Sequence, residues 1–193
     1  EFHYNNHQLF IFIIKMMSNP VSPNAMSCLI DNNGNYSYAH SVLQSLSFLS
    51  CINQYFQNPC NFQSVNNFNQ CNTPLSLNFS YLLNNLKTIN PYNCCDSSQV
   101  IQTYIQNAGG NSYKQDPYHF LFYFLDILHN ENNKPKNPFF DISQLNNVNA
   151  FSKENDMYMY SLFCSFFQST QNSIISNYFY NVTKCEIQCR CCH

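Results

Sequence analysis

The sequence predicts a globular chain of mixed helix and strand in which helices dominate. Three observations carry this. Apolar residues recur at helical spacing in the stretches Val42–Ile52, Leu75–Leu86 and Tyr118–His129. One short run, Tyr158–Phe167, is aromatic and strand-like. Aromatic side chains make up 17% of the 193 residues, all of them Phe and Tyr. Disordered chains are poor in such residues, so this one has the material for a core.

Composition narrows the functional classes. Charged residues are 9% of the chain, far below the roughly 25% of ordinary globular proteins. The net charge of −2 gives no basic face for nucleic acid, and no nucleic-acid partner is expected. Only 3 glycines occur, which excludes a collagen repeat, and charged heptads for a coiled coil are absent. Asn fills roughly a sixth of the chain, well above usual usage. The polar surface is therefore built from Asn, Gln and Ser in place of charge.

The chain begins at Glu1 without an initiator Met, and Met16 or Met17 is the expected start. The apolar run Leu9–Ile14 is too short to span a bilayer, and its flanks lack the basic region and cleavage site of a secretory signal. Asn19-Pro20 and Ser22-Pro23 break regular structure. Residues 1–27 are thus read as a leader, residues 28–193 as the domain, and no membrane partner is expected. Of the 11 cysteines, Cys185, Cys189, Cys191 and Cys192 crowd the end. An odd total with a terminal cluster fits reduced thiols and a metal site better than a disulfide framework. That places the protein in a reducing compartment, cytoplasm or nucleus.

The elements follow in order. A turn-like Asp31–Asn35 leads into a helix through Val42, Leu43, Leu46, Leu49 and Ile52, with Ser37 at or just before its first turn. Residues 57–74, rich in Asn and Gln, read as a loop. Leu75–Leu86 is a second helix, and Gln99–Gln106 a short third one stopped by Gly109-Gly110. Tyr118–His129 is a strong helix, with Asp116 as its N-cap and Pro117 in its first turn. It is apolar nearly all round and is expected to be buried. Residues 130–138 form a polar, proline-rich linker. Ser173–Thr183 reads as a short helix leading into a strand.

One stretch carries chemistry. Residues 32–44 read Asn-Asn-Gly-Asn-Tyr-Ser-Tyr-Ala-His-Ser-Val-Leu-Gln, a loop feeding a helix N-terminus. The helix dipole and unpaired N–H groups there favour an anionic nucleophile, and a preceding Asn can donate to an oxyanion. A serine before a helix is, taken alone, more often a cap.

The stretch resembles the Cys box of the ubiquitin-specific proteases, N-x-G-N-T-C-Y-x-N-S-V-L-Q. Asn32, Gly34, Asn35, Tyr38, Ser41, Val42, Leu43 and Gln44 match. Tyr36 replaces the usual Thr and His40 the usual Asn. Ser37 occupies the position of the catalytic Cys. The resemblance implies that Ser37 holds the nucleophile position and Asn32 the oxyanion position. A second block, Gln115–Leu121, resembles the family's Q-D-A-x-E-F-L segment, with His119 in place of Glu. It implies that Gln115 and Asp116 serve recognition of the ubiquitin C-terminal tail. A third block, Ile174, Ile175 and Phe179 followed by Cys189 and Cys192, resembles the entry to the zinc-ribbon fingers. A C-x-x-C supplies two thiolates of a tetrahedral zinc, so Cys189 and Cys192 form a structural half-site.

The implied fold is the α+β, papain-like ubiquitin-specific protease fold. The part present is mainly the helical thumb and the start of the zinc-ribbon fingers, an incomplete domain. The implied partner is ubiquitin or a ubiquitinated protein. The implied activity is thiol-dependent ubiquitin hydrolysis, but Ser37 predicts its loss, because a serine hydroxyl ionises far less readily than a thiol. The family's His box is also expected beyond these residues. The competing expectation is a non-enzymatic scaffold, similar to the inactive ubiquitin-hydrolase-like domain of a poly(A)-nuclease deadenylation complex. Cys28, nine positions before Ser37, is read as a buried, inert thiol.

Overall fold

The computed structural model describes residues 28–30, 36–63, 74–88, 94–108, 116–136 and 156–180. The chain divides into two compact units, Glu1–Asn133 and Lys134–His193.

In the first unit, strand β1 (Cys28–Ile30) precedes helix α1 (Ser37–Ser47). Helix α1 buries Ala39, Val42, Leu43 and Leu46, one face of a 3.6-residue period. The sequence predicts one continuous helix here, and the structure breaks it. Phe48 and Leu49 close short bonds back to the carbonyls of Ser45 and Leu46 at 3.2 and 3.1 Å, a tightening typical of helix ends. Leu49 then turns extended and helix α2 (Ser50–Phe56) begins. The buried Asn53 explains the break, because its side-chain amide donates to the Ser47 carbonyl that α1 leaves open.

The predicted loop over 57–74 contains a helical turn, α3 (Cys60–Gln63). Asn58 Oδ1 accepts the Cys60 N–H at 3.1 Å, and Phe62 is buried against Phe56 with ring centroids 6.0 Å apart. Helix α4 (Pro74–Thr88) starts on a proline, which has no N–H to leave unpaired, and buries Leu75, Phe79, Leu82, Leu83 and Leu86. Strand β2 (Cys94–Asp96) pairs parallel with β1 in the register Cys28–Cys94, Leu29–Cys95, Ile30–Asp96. These three-residue strands are too short to show a period in the sequence.

Helix α5 (Ser98–Asn107) buries Val100, Ile101 and Tyr104. Helix α6 (Pro117–Asn132) has the predicted start, Asp116 capping and Pro117 in the first turn. It runs through the first part of the predicted linker because Glu131 and Asn132, polar in the sequence, are buried. It is also less enclosed than its composition predicts, since Phe122 is 59% exposed. Helix α4 packs on α2, α5 and α6, and α1 packs on α6. The core between them is aromatic. Phe56 and Phe79 lie 5.2 Å apart, Phe79 and Phe124 5.2 Å, and Phe120 and Phe124 stack at 5.3 Å.

In the second unit the expected strand over Tyr158–Phe167 is instead helix α7 (Asp156–Thr170). The alternation of aromatics misleads; the helical signal is polar. Ser161, Ser165 and Gln168 are exposed at helical spacing. The Ser165 and Ser169 hydroxyls donate to carbonyls one turn back at 2.9 and 2.7 Å. Helix α8 (Ile174–Phe179) carries a capping box: Ser173 Oγ accepts the Ser176 N–H at 3.0 Å, and Ser176 Oγ accepts the Ser173 N–H at 2.8 Å. Ile175 and Phe179 are buried on one face. The expected strand after this helix lies outside the described residues. Among those described, no helix is long and apolar enough to cross a membrane.

Candidate functional site

The site is built on two helix N-termini. Ser37 is the first residue of α1 and is exposed. The capping role for Ser37 does not hold, because the cap position belongs to Tyr36, which makes no side-chain cap bond. The first turn holds no acidic residue, so the positive end of the helix dipole meets no carboxylate of its own. Among the described residues, no side chain is hydrogen-bonded to the Ser37 hydroxyl.

Neighbouring residues anchor this start. The His40 N–H donates to the Tyr36 carbonyl at 2.9 Å. His40 Nε2 lies 2.7 Å from Oγ of the buried Ser97. Ser97 is the N-cap of α5, yet its side chain does not cap; it is spent on the imidazole. Asp96 takes over, accepting the Ser98 N–H at 2.8 Å and the Ser98 hydroxyl at 2.9 Å. Tyr38 meets Phe120 edge-on at 5.9 Å, which ties the first turn of α1 to that of α6. Burial pushes the Tyr38 phenol up, with Tyr36 adding to it, so Tyr38 is a neutral packing group.

At the start of α6, Asp116 Oδ1 accepts the Tyr118 N–H at 2.9 Å. Asp116 Oδ2 lies 2.6 Å from His119 Nδ1. An ionised carboxylate only accepts, so Nδ1 carries the proton in this pair. The i, i+3 spacing of Asp116 and His119 was visible in the sequence as a helix-face pair.

Of the predicted site residues, Ser37 and Asp116 stand at the first turns of two helices joined by the Tyr38–Phe120 contact. Asn32, Gln115, Cys189 and Cys192 lie outside the described residues. Cys28 is a correction. The sequence reading buries it, whereas the structure places it exposed in β1. The edge position of a three-residue strand leaves its side chain uncovered. The His40–Ser97 bond was not legible, since it joins residues 57 positions apart. Among the described residues, no group of three or more His, Cys, Asp or Glu side chains is gathered to hold a metal ion.

An exposed hydroxyl at a helix N-terminus, beside a carboxylate at a second one, is the arrangement of a hydrolase-type site with an altered nucleophile. The comparison with known families places it. Residues 28–193 match the family model described as ubiquitin carboxyl-terminal hydrolase, and the chain belongs to that family. Its mixed helical and two-stranded architecture is compatible with the family's papain-like α+β fold. No curated protein matches the chain at a significant level.

Proposed function

We propose that this chain is a deubiquitinase-family protein that recognises ubiquitin and its C-terminal tail without cleaving it. The observation that carries this is Ser37, an exposed hydroxyl at the head of α1 where the family has its thiol. A cysteine-protease site works through a thiolate formed against an imidazole. A hydroxyl needs a dedicated general base within about 3 Å. Among the described residues no imidazole is bonded to Ser37. His40 is engaged by Ser97 and His119 by Asp116. The helix dipole alone is too small to ionise an alcohol at neutral pH. Binding and chemistry thus separate, because the capped carboxylate at Asp116 keeps its geometry while the nucleophile is lost. A structural zinc held in part by Cys189 and Cys192 belongs to the same reading and is supported by the C-x-x-C spacing.

The test is a ubiquitin C-terminal fluorogenic substrate together with a ubiquitin binding titration. No fluorophore release above buffer is expected, and Ser37→Ala leaves that result unchanged. Release that Ser37→Ala abolishes overturns the proposal. Binding of ubiquitin is expected, and its absence moves the reading to the scaffold.

Asp116→Asn probes recognition separately. The Asn oxygen still accepts the Tyr118 N–H, and Asn is as good a cap as Asp. The exposed pair with His119 is worth under about 1 kcal/mol. Stability therefore changes little, while ubiquitin affinity is expected to fall about tenfold, the effect of losing one charged hydrogen bond. Equal affinity for the two proteins removes Asp116 from recognition.

A further inference from the structure

We propose that Cys28 and Cys94 form a dithiol site, oxidised reversibly to a cross-strand disulfide by hydroperoxides. The two residues are 66 apart in sequence, and the β1–β2 register sets them directly opposite each other. Both thiols are free and exposed. Neighbouring strands run about 4.8 Å apart. A disulfide accepts Cα separations of about 4.4–6.8 Å, so the backbone spacing already falls within its range.

The pleat supplies the direction. Opposed residues of a pleated pair project to the same face, and successive residues to opposite faces. Strand β2 follows this, with Cys94 and Asp96 exposed and Cys95 between them buried. Cys28 and Cys94 therefore share the solvent face. Cys95 projects to the other side and is 2% exposed. Burial pushes the Cys95 thiol up, and Asp96 beside it adds to this. The adjacent Cys94–Cys95 pair is thereby disfavoured as the oxidised product, although it is the pair the sequence presents. Metal capture is not the competing use, since no third His, Cys, Asp or Glu joins a cluster among the described residues.

The chemistry balances with a hydroperoxide as oxidant. One thiolate attacks the peroxide, the O–O bond breaks, and a sulfenic acid forms with release of water or an alcohol. The second thiol attacks that sulfur, the S–S bond forms and water leaves. Two thiols are oxidised by two electrons and one peroxide is reduced. Two equivalents of a monothiol reverse the step by exchange. In a reducing compartment such disulfides are transient and act as sensors. The bond would fix the strand register and close a covalent loop of roughly 66 residues around α1 to α4. It would thereby tether β1, which runs toward Ser37.

The experiment uses the full chain, reduced, desalted and treated with dilute hydrogen peroxide. Free thiols are then alkylated and the digest is mapped by mass spectrometry. A linked peptide pair containing Cys28 and Cys94 is expected, lost on adding dithiothreitol. Cys28→Ser and Cys94→Ser each abolish it, and Cys95→Ala retains it. The melting temperature of the oxidised chain is expected to rise by about 5 °C or more, a rise that Cys28→Ser lacks. Alkylation of both thiols after peroxide, sulfinic acid at both, or a Cys94–Cys95 link overturns the proposal. The mapping is done on the unsubstituted protein, so the result stands even where a variant folds poorly.

Discussion

Glu131→Ala is expected to destabilise the fold by about 3 kcal/mol, read as a lowered midpoint in urea unfolding. The loss comes from the first turn of α4, whose N–H groups have no partner within the helix. Pro74 removes one donor from the problem. Glu131, at the far end of α6, takes the next two: it accepts the Leu75 N–H at 3.0 Å and the Ser76 N–H at 2.7 Å. It also accepts the Ser76 hydroxyl at 2.6 Å. Asn132 donates to Ser76 Oγ at 2.8 Å and accepts from the Tyr55 hydroxyl at 3.2 Å. Glu131 is only 7% exposed, so truncation leaves buried donors that water cannot reach. A surface carboxylate at a helix start contributes far less, roughly 0.3–1 kcal/mol. A loss no larger than that would show that α4 finds another cap.

The same carboxyl sets a pH dependence. Burial raises it above the ordinary 4.5, and the bonds from Ser76 and Leu75 pull the other way without cancelling the rise. The native state therefore holds the proton to higher pH than the unfolded chain does. This term is full below about 4.5 and is lost as pH rises through the native value. The stability of the protein relative to Glu131→Gln should accordingly shrink as pH is raised from about 4.5. A constant difference would contradict the buried placement.

Glu131 also shows why the sequence is legible only in part. Three of the predicted helices, near 75–86, 99–106 and 118–129, were carried by apolar periodicity, and α4, α5 and α6 occupy those positions. What periodicity missed depends on buried polar groups. Glu131 and Asn132 read as linker because a polar residue usually faces water, yet each satisfies a distant partner. Asn53 reads as surface but completes the end of α1. In α7 the aromatic alternation suggested a strand, and the exposed serines decided for a helix. The strands were invisible because their pairing joins segments 66 residues apart. The candidate site shows the same division. Ser37 and Asp116 were found through local motif order. The Ser97 tether of His40 and the Cys28–Cys94 register are long-range, and no local pattern encodes them.

Phe124→Ala should have the largest effect of any single change, a loss of about 4 kcal/mol. Phe124 is fully buried and stands where three helices meet. It stacks on Phe120 of its own helix at 5.3 Å, meets Phe79 of α4 edge-on at 5.2 Å, and lies 6.4 Å from Tyr104 of α5. Removing the ring withdraws its transfer energy and leaves a cavity whose walls are rigid aromatic faces. Such walls relax poorly, so the loss should sit high in the range for Phe truncations. Phe122, two residues earlier on the same helix, is the control. It is 59% exposed, and Phe122→Ser should change stability by no more than about 0.5 kcal/mol. Comparing the two also tests the path from core to site. Phe120, between Phe124 and Tyr38, holds the start of α1 against α6. Loosening that stack should therefore weaken ubiquitin binding along with stability, whereas Phe122→Ser should leave both near their starting values. Equal losses from the two substitutions would mean that α6 presents a different face to the core, and the placement of Asp116 beside Ser37 would fall with it.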